Sequence, residues 1–111
     1  MIQVFVYGTL KRGQRNFHQM RDAAFVGEHV TRARYTMFCF DTYPAVCLNG
    51  SSAISGEVFR VSAPRLRALD LFEGHPEYYR RIQIDTEHGR AWMYVMQRHF
   101  CRGRKRLDGS W

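Results

Sequence analysis

The chain has 111 residues, 45% of them hydrophobic and 14% aromatic, which suits one globular domain spanning 1–111 and excludes a disordered chain. No run reaches the roughly 18 apolar residues of a membrane span, and the start lacks the basic segment of a signal peptide, so a cytoplasmic protein with no membrane contact is expected. The net charge of +7 admits a nucleic acid, an anionic small molecule or no specific partner.

Val4, Phe5 and Val6 are apolar in succession, the pattern of a strand covered on both faces. Gly8 ends that run, and Thr9 to Gly13 follow as a loop. Such a loop is either a plain turn or a way to present backbone N–H groups to an anion or a carbonyl oxygen. Asn16 is a candidate N-cap, and Phe17, Met20 and Ala24 fall on one stripe, so the spacing predicts a short helix over 17–24. Residues 25–40 are rich in β-branched and aromatic types and predict one or two strands. Asp41-Thr42-Tyr43-Pro44 signals a turn, and Ala45–Leu48 a short strand. Ile54–Val61 reads as a further strand, with Gly56 allowing a bulge or a close approach. Ser62 as N-cap, Pro64 in the first turn and Gly74 beyond the end predict a helix over 63–73. Arg81–Thr86 alternates as a half-buried strand, and Ala91–Met96 is apolar on both faces. The basic run Arg102-Gly103-Arg104-Lys105-Arg106 is short and has no interleaved aromatics, so a solvated tail is expected and nucleic acid is not. These elements do not alternate as βαβ throughout. They predict an α+β fold: about six strands in a closed or partly closed mixed β-barrel, with two flanking helices.

The helix over 63–73 carries the sharpest chemical signal. Leu66 and Leu69 define its buried stripe, and Glu73 lies only about 20° from Leu66 around the axis. A carboxylate in that position is partly desolvated, its pKa rises toward neutrality, and it is tuned for acid–base work. The bland alternative has Glu73 in solvent or paired with Arg80 or Arg81. Asp70 lies about 40° off the same meridian and reads as a structural partner of backbone or an arginine. Tyr79 either points its hydroxyl at Glu73 or a ligand, or packs as a core aromatic. Gly8 and Gly13 have P-loop spacing, but Gln14-Arg15 stands where Lys-Ser/Thr would bind phosphate and metal. The five histidines form no i, i+4 pair, no serine sits in a nucleophile-elbow context, and three cysteines without a motif read as reduced thiols.

Val4-Phe5-Val6-Tyr7-Gly8-Thr9-Leu10-Lys11-Arg12-Gly13-Gln14 closely resembles the opening of the γ-glutamylcyclotransferase-like family. Asn16, Arg21-Asp22, Tyr43-Pro44, Gly56-Glu57-Val58, Leu69-Asp70-Leu71-Phe72-Glu73 and Tyr79-Arg80-Arg81 follow in the right order over nearly the whole chain. The chain departs from the animal amine-type members in a shorter 45–53 loop and in ending at Trp111 without their longer extension. The resemblance implies a small barrel with a cleft, in which Tyr7, Gly8, Thr9, Leu10 and Tyr79 hold a γ-glutamyl substrate. It implies Glu73 as the catalytic base and acid of a reaction that forms 5-oxoproline and releases an amine. No cofactor and no metal are expected, and the chain is expected to be a monomer or weak homodimer. The alternative is a non-catalytic small-molecule-binding module on the same fold.

Overall fold

The computed structural model describes residues 2–111. Its eight strands are β1 (Ile2–Val6), β2 (Ala24–Val30), β3 (Tyr35–Cys39), β4 (Pro44–Leu48), β5 (Ser55–Val61), β6 (Tyr79–Thr86), β7 (Gly89–Met96) and β8 (Lys105–Leu107). One α-helix, α1 (Ala63–Glu73), lies between β5 and β6.

The apolar opening run becomes the middle strand of a five-stranded sheet, ordered β2-β5-β1-β7-β6. β1 runs antiparallel to β5 and parallel to β7. Because side chains alternate along a strand, β1 feeds two cores. Val4 and Val6 pack with Leu66 and Leu69 of α1, and Phe5 and Tyr7 pack with Met37 and Val46 of the second sheet. That second sheet is three-stranded, ordered β4-β3-β8.

The expected barrel is not formed; the strands divide between these two sheets. The edges of the larger sheet approach one another without a ladder. His29 Nδ1 of β2 lies 2.5 Å from Glu87 Oε1, and His88 Nε2 lies 2.9 Å from the Glu28 carbonyl oxygen. Twist curls the sheet toward closure, but only side chains span the gap.

The second flanking helix is also absent. Phe17–Met20 makes one four-residue 3-10 turn with no side-chain cap. Asn16 instead donates its Nδ2 to Thr9 Oγ1 at 3.0 Å. Ala24 is already paired with Arg60 in the ladder to β5. A ladder bond outweighs a weak apolar stripe in so short a segment.

The basic run is not a free tail. Lys105–Leu107 pairs with β3, with Phe38 opposite Arg106 and Met37 opposite Leu107. Arg104 lays its guanidinium 4.3 Å from the Phe40 ring centroid. Aromatic faces thus hold charges that otherwise face water.

α1 forms as its punctuation predicts. Ser62 Oγ accepts from the Arg65 N–H at 3.2 Å, and Gly74 caps the other end in the left-handed region at φ 69°. No helix among the described residues is long and apolar enough to cross a membrane.

Candidate active site

A cavity of about 320 Å³ opens where the end of β1, the end of α1 and the start of β4 meet. Gly8, Thr9 and Leu10 line one side, Phe72 and Glu73 another, and Tyr43, Tyr78 and Tyr79 a third. The structure therefore brings together every residue singled out for the site: Tyr7, Gly8, Thr9, Leu10, Glu73 and Tyr79 all line this cavity.

The loop after β1 is tied down at several points. Lys11 N–H donates to the Gly8 carbonyl at 3.1 Å, and Asn16 N–H to the Thr9 carbonyl at 3.0 Å. Arg12 is clamped to Glu57, which accepts its backbone N–H at 2.9 Å and its guanidinium at 3.3 Å. None of these bonds uses the N–H of Gly8, Thr9 or Leu10, and no acceptor among the described residues engages them. Three consecutive donors on an anchored loop are the raw material of an oxyanion site. Gly8 itself is dictated by packing: a Cβ there would stand 2.7 Å from Pro44 Cγ.

Glu73 sits at the last position of α1, half-buried. Burial alone pushes its carboxyl up to about 7. The alternative pairings are not made. Arg81 donates to Asp70 instead, at 2.8 and 3.2 Å, and stacks 4.2 Å from the Trp92 ring centroid. Asp70 also accepts from Tyr94 Oη at 2.7 Å. Burial opposes the charge on Asp70, yet Arg81 and Tyr94 together hold its carboxyl below the usual range. So two carboxylates near one helical meridian divide: Asp70 is the structural anion, and Glu73 is left unpaired among the described residues. Asp70→Asn is expected to cost about 1.5–3 kcal/mol by leaving Arg81 without its counter-charge. Urea denaturation of the variant at neutral pH measures this.

The tyrosines are mostly structural bridges. Tyr79 Oη donates to the Pro44 carbonyl at 2.8 Å, so its ring faces the cavity while its hydroxyl holds β4. Tyr7 Oη donates to the Tyr94 carbonyl at 2.8 Å and accepts from the Val46 N–H at 3.3 Å, tying the two sheets. Burial raises the pKa of Tyr7, Tyr79 and Tyr94, and the Glu73 charge raises each further. Tyr43 and Tyr78 join hydroxyl to hydroxyl at 2.6 Å. Burial first, then this bond, pushes Tyr78 up to about 12.

Arg15, Asn16, Tyr43, Pro44, Phe72 and Tyr94 also line the cavity, and no local sequence pattern assigns them to it. The Tyr43-Pro44 pair carried a turn signal but no pointer to α1. Nothing in the sequence set Arg15 apart from the other arginines. No group of three or more His, Cys, Asp or Glu side chains among the described residues is placed to hold a metal.

Known proteins resemble this chain in sequence and in fold. Residues 4–111 match the family model described as gamma-glutamyl cyclotransferase, AIG2-like. The gamma-glutamylcyclotransferase family protein YtfP of Escherichia coli K12 is 35% identical over 97 residues, covering 87% of this chain and 84% of that protein. The solution structure of E. coli ytfP superposes with a TM-score of 0.79 at 34% identity, over 99% of this chain and 96% of that one. An AIG2-like protein from mouse superposes with a TM-score of 0.76 at 32% identity, over 86% of this chain and 77% of that one. By the family model that it matches and by these relatives, the chain belongs to the AIG2-like gamma-glutamyl cyclotransferase family.

Proposed function

We propose that this protein is a γ-glutamyl cyclotransferase, converting a γ-glutamyl amine or γ-glutamyl amino acid to 5-oxoproline and a free amine. The observation that carries the reading is Glu73: an unpaired carboxyl, raised to about 7 by burial, in one cavity with the free N–H groups of Gly8–Leu10.

The nucleophile belongs to the substrate. Its α-amine attacks its own γ-carbonyl carbon, so holding the glutamyl arm folded supplies much of the rate. The α-ammonium must first lose a proton; its reference pKa of about 7.7–8.0 lies close to that of Glu73. Glu73 takes that proton as the N–C bond of the ring forms. The carbonyl oxygen becomes an oxyanion, which the Gly8–Leu10 N–H groups stabilise. Glu73 then delivers that proton to the leaving nitrogen as the old amide C–N bond breaks, and the second proton that the attacking nitrogen sheds in becoming a lactam N–H passes through solvent to the released amine. No atom is gained or lost, and no water enters the balance. Cavity walls of tyrosine and phenylalanine keep the carboxyl poised by limiting its hydration.

The test is 5-oxoproline release from a panel of γ-glutamyl amides and dipeptides. Product and free amine are expected in equal amounts. kcat/KM is expected to rise about tenfold per pH unit up to about 7 and then level, since only ionised Glu73 accepts the proton. Ligand binding without 5-oxoproline from any member of the panel would instead identify a non-catalytic binding module.

A further inference from the structure

Among the described residues, Arg15 is the one basic side chain that lines the cavity. It is exposed at the mouth, beside Asn16, whose two bonds to Thr9 fix that part of the loop. Most other acids close to a guanidinium are already paired: Glu57 with Arg12, Asp70 with Arg81 and Asp22 with Arg65. Arg15 makes no ion pair and no hydrogen bond among the described residues. No ion pair joins it to Glu73, and burial acts on that carboxyl with no opposing cation.

The cavity therefore presents two separate charges, one of each sign, on otherwise neutral walls of aromatic, apolar and amide groups. A γ-glutamyl unit carries the matching pair, an α-ammonium and an α-carboxylate on one carbon. Building on the cyclotransferase reading, we infer that Arg15 is the receptor for the substrate's α-carboxylate, and so sets which face of the α-carbon turns its amine toward Glu73. A planar guanidinium receives a carboxylate through two parallel N–H bonds, which fixes orientation as well as position. With both cavity charges engaged by the glutamyl end, the Tyr43, Tyr78 and Phe72 side is left to an uncharged leaving group.

The experiment compares γ-glutamylbenzylamide with its α-carboxamide analogue, in wild type and Arg15→Gln. The variant is expected to raise KM for the carboxylate substrate about 10- to 100-fold, acting less on kcat, as loss of a charge-assisted bond predicts. The wild type is expected to show a similar rise on the carboxamide, with little added by the substitution. Arg15→Lys should recover part of the loss. Equal losses on both substrates, or no change in KM, would overturn the assignment while leaving the cyclotransferase reading intact. Calorimetric binding of 5-oxoproline against 5-oxoprolinamide gives a readout that needs no turnover. Wild type should favour the acid at least tenfold and Arg15→Gln should not; equal affinities in the wild type would also overturn the role of Arg15. Wild-type inactivity on every γ-glutamyl compound would sink the reaction itself.

Discussion

Glu73→Gln is expected to lower 5-oxoproline release by about 10²–10⁴-fold, the usual loss for a positioned acid–base group, and to make the protein more stable above neutral pH. The two effects share one cause. Burial raises the Glu73 carboxyl from 4.5 to about 7. A carboxyl with a raised folded-state pKa contributes stability that is complete below about 4.5 and is lost as pH rises through about 7. At pH 8 the folded state holds an ionised, partly desolvated carboxylate that the unfolded chain solvates freely. At about 1.36 kcal/mol per pH unit, that strain reaches at most about 3 kcal/mol. Glutamine has the same shape without the charge, so the variant escapes it. Thermal denaturation should show the variant ahead of wild type at pH 8 and level with it at pH 4. A carboxylate that merely faced solvent would give neither the lost turnover nor the pH-dependent gain. Loss of turnover with loss of stability at pH 8 would mean that Glu73 is a structural residue.

How far these features were legible in the sequence depends on the range of the forces that make them. α1 was legible because its signals are local: the Ser62 cap, Pro64 in the first turn and the left-handed Gly74 lie within a dozen residues. Glu73 was legible for the same reason, since a helix of known pitch places it near Leu66. β1 was legible because a strand at the centre of a sheet needs apolar residues on both faces. Barrel closure was not, because it depends on whether β2 meets β6, the two edges of the larger sheet, which lie about fifty residues apart in the chain. The stripe of Phe17, Met20 and Ala24 misled because Ala24 answers to its partner Arg60 on β5. β8 was hidden by its charge: Arg104 and Arg106 read as solvated until Phe40 and Phe38 are seen beneath them. In the site, the sequence marks Gly8 as a place where a Cβ would clash, but not what it would meet. The glycine fits a proline thirty-six positions away, a contact that no local pattern encodes.

That contact yields the second large effect: Gly8→Ala is expected to destabilise the fold by about 1–3 kcal/mol, as overpacking does, and to slow turnover by about 10²-fold through misplacement of the loop. Gly8 is not among the residues with positive φ, so alanine is not excluded by backbone conformation. The obstacle is the Pro44 ring, whose Cγ and Cδ would lie 2.7 and 2.8 Å from the new Cβ. Pro44 cannot yield easily. It opens β4 opposite Cys39, and its carbonyl accepts the Tyr79 hydroxyl at 2.8 Å. The loop has to move instead, carrying the Gly8–Leu10 N–H groups off the position where the oxyanion forms. Pro44→Ala removes both offending carbons and keeps the carbonyl that Tyr79 uses. Gly8→Ala should therefore cost much less in the Pro44→Ala background, with a coupling energy of about 0.5–3 kcal/mol from denaturation and a parallel recovery of kcat. An unchanged cost in both backgrounds would show that the Pro44 contact does not set the loop. Recovery of stability without recovery of rate would separate the packing of Gly8 from the placement of its neighbours' N–H groups.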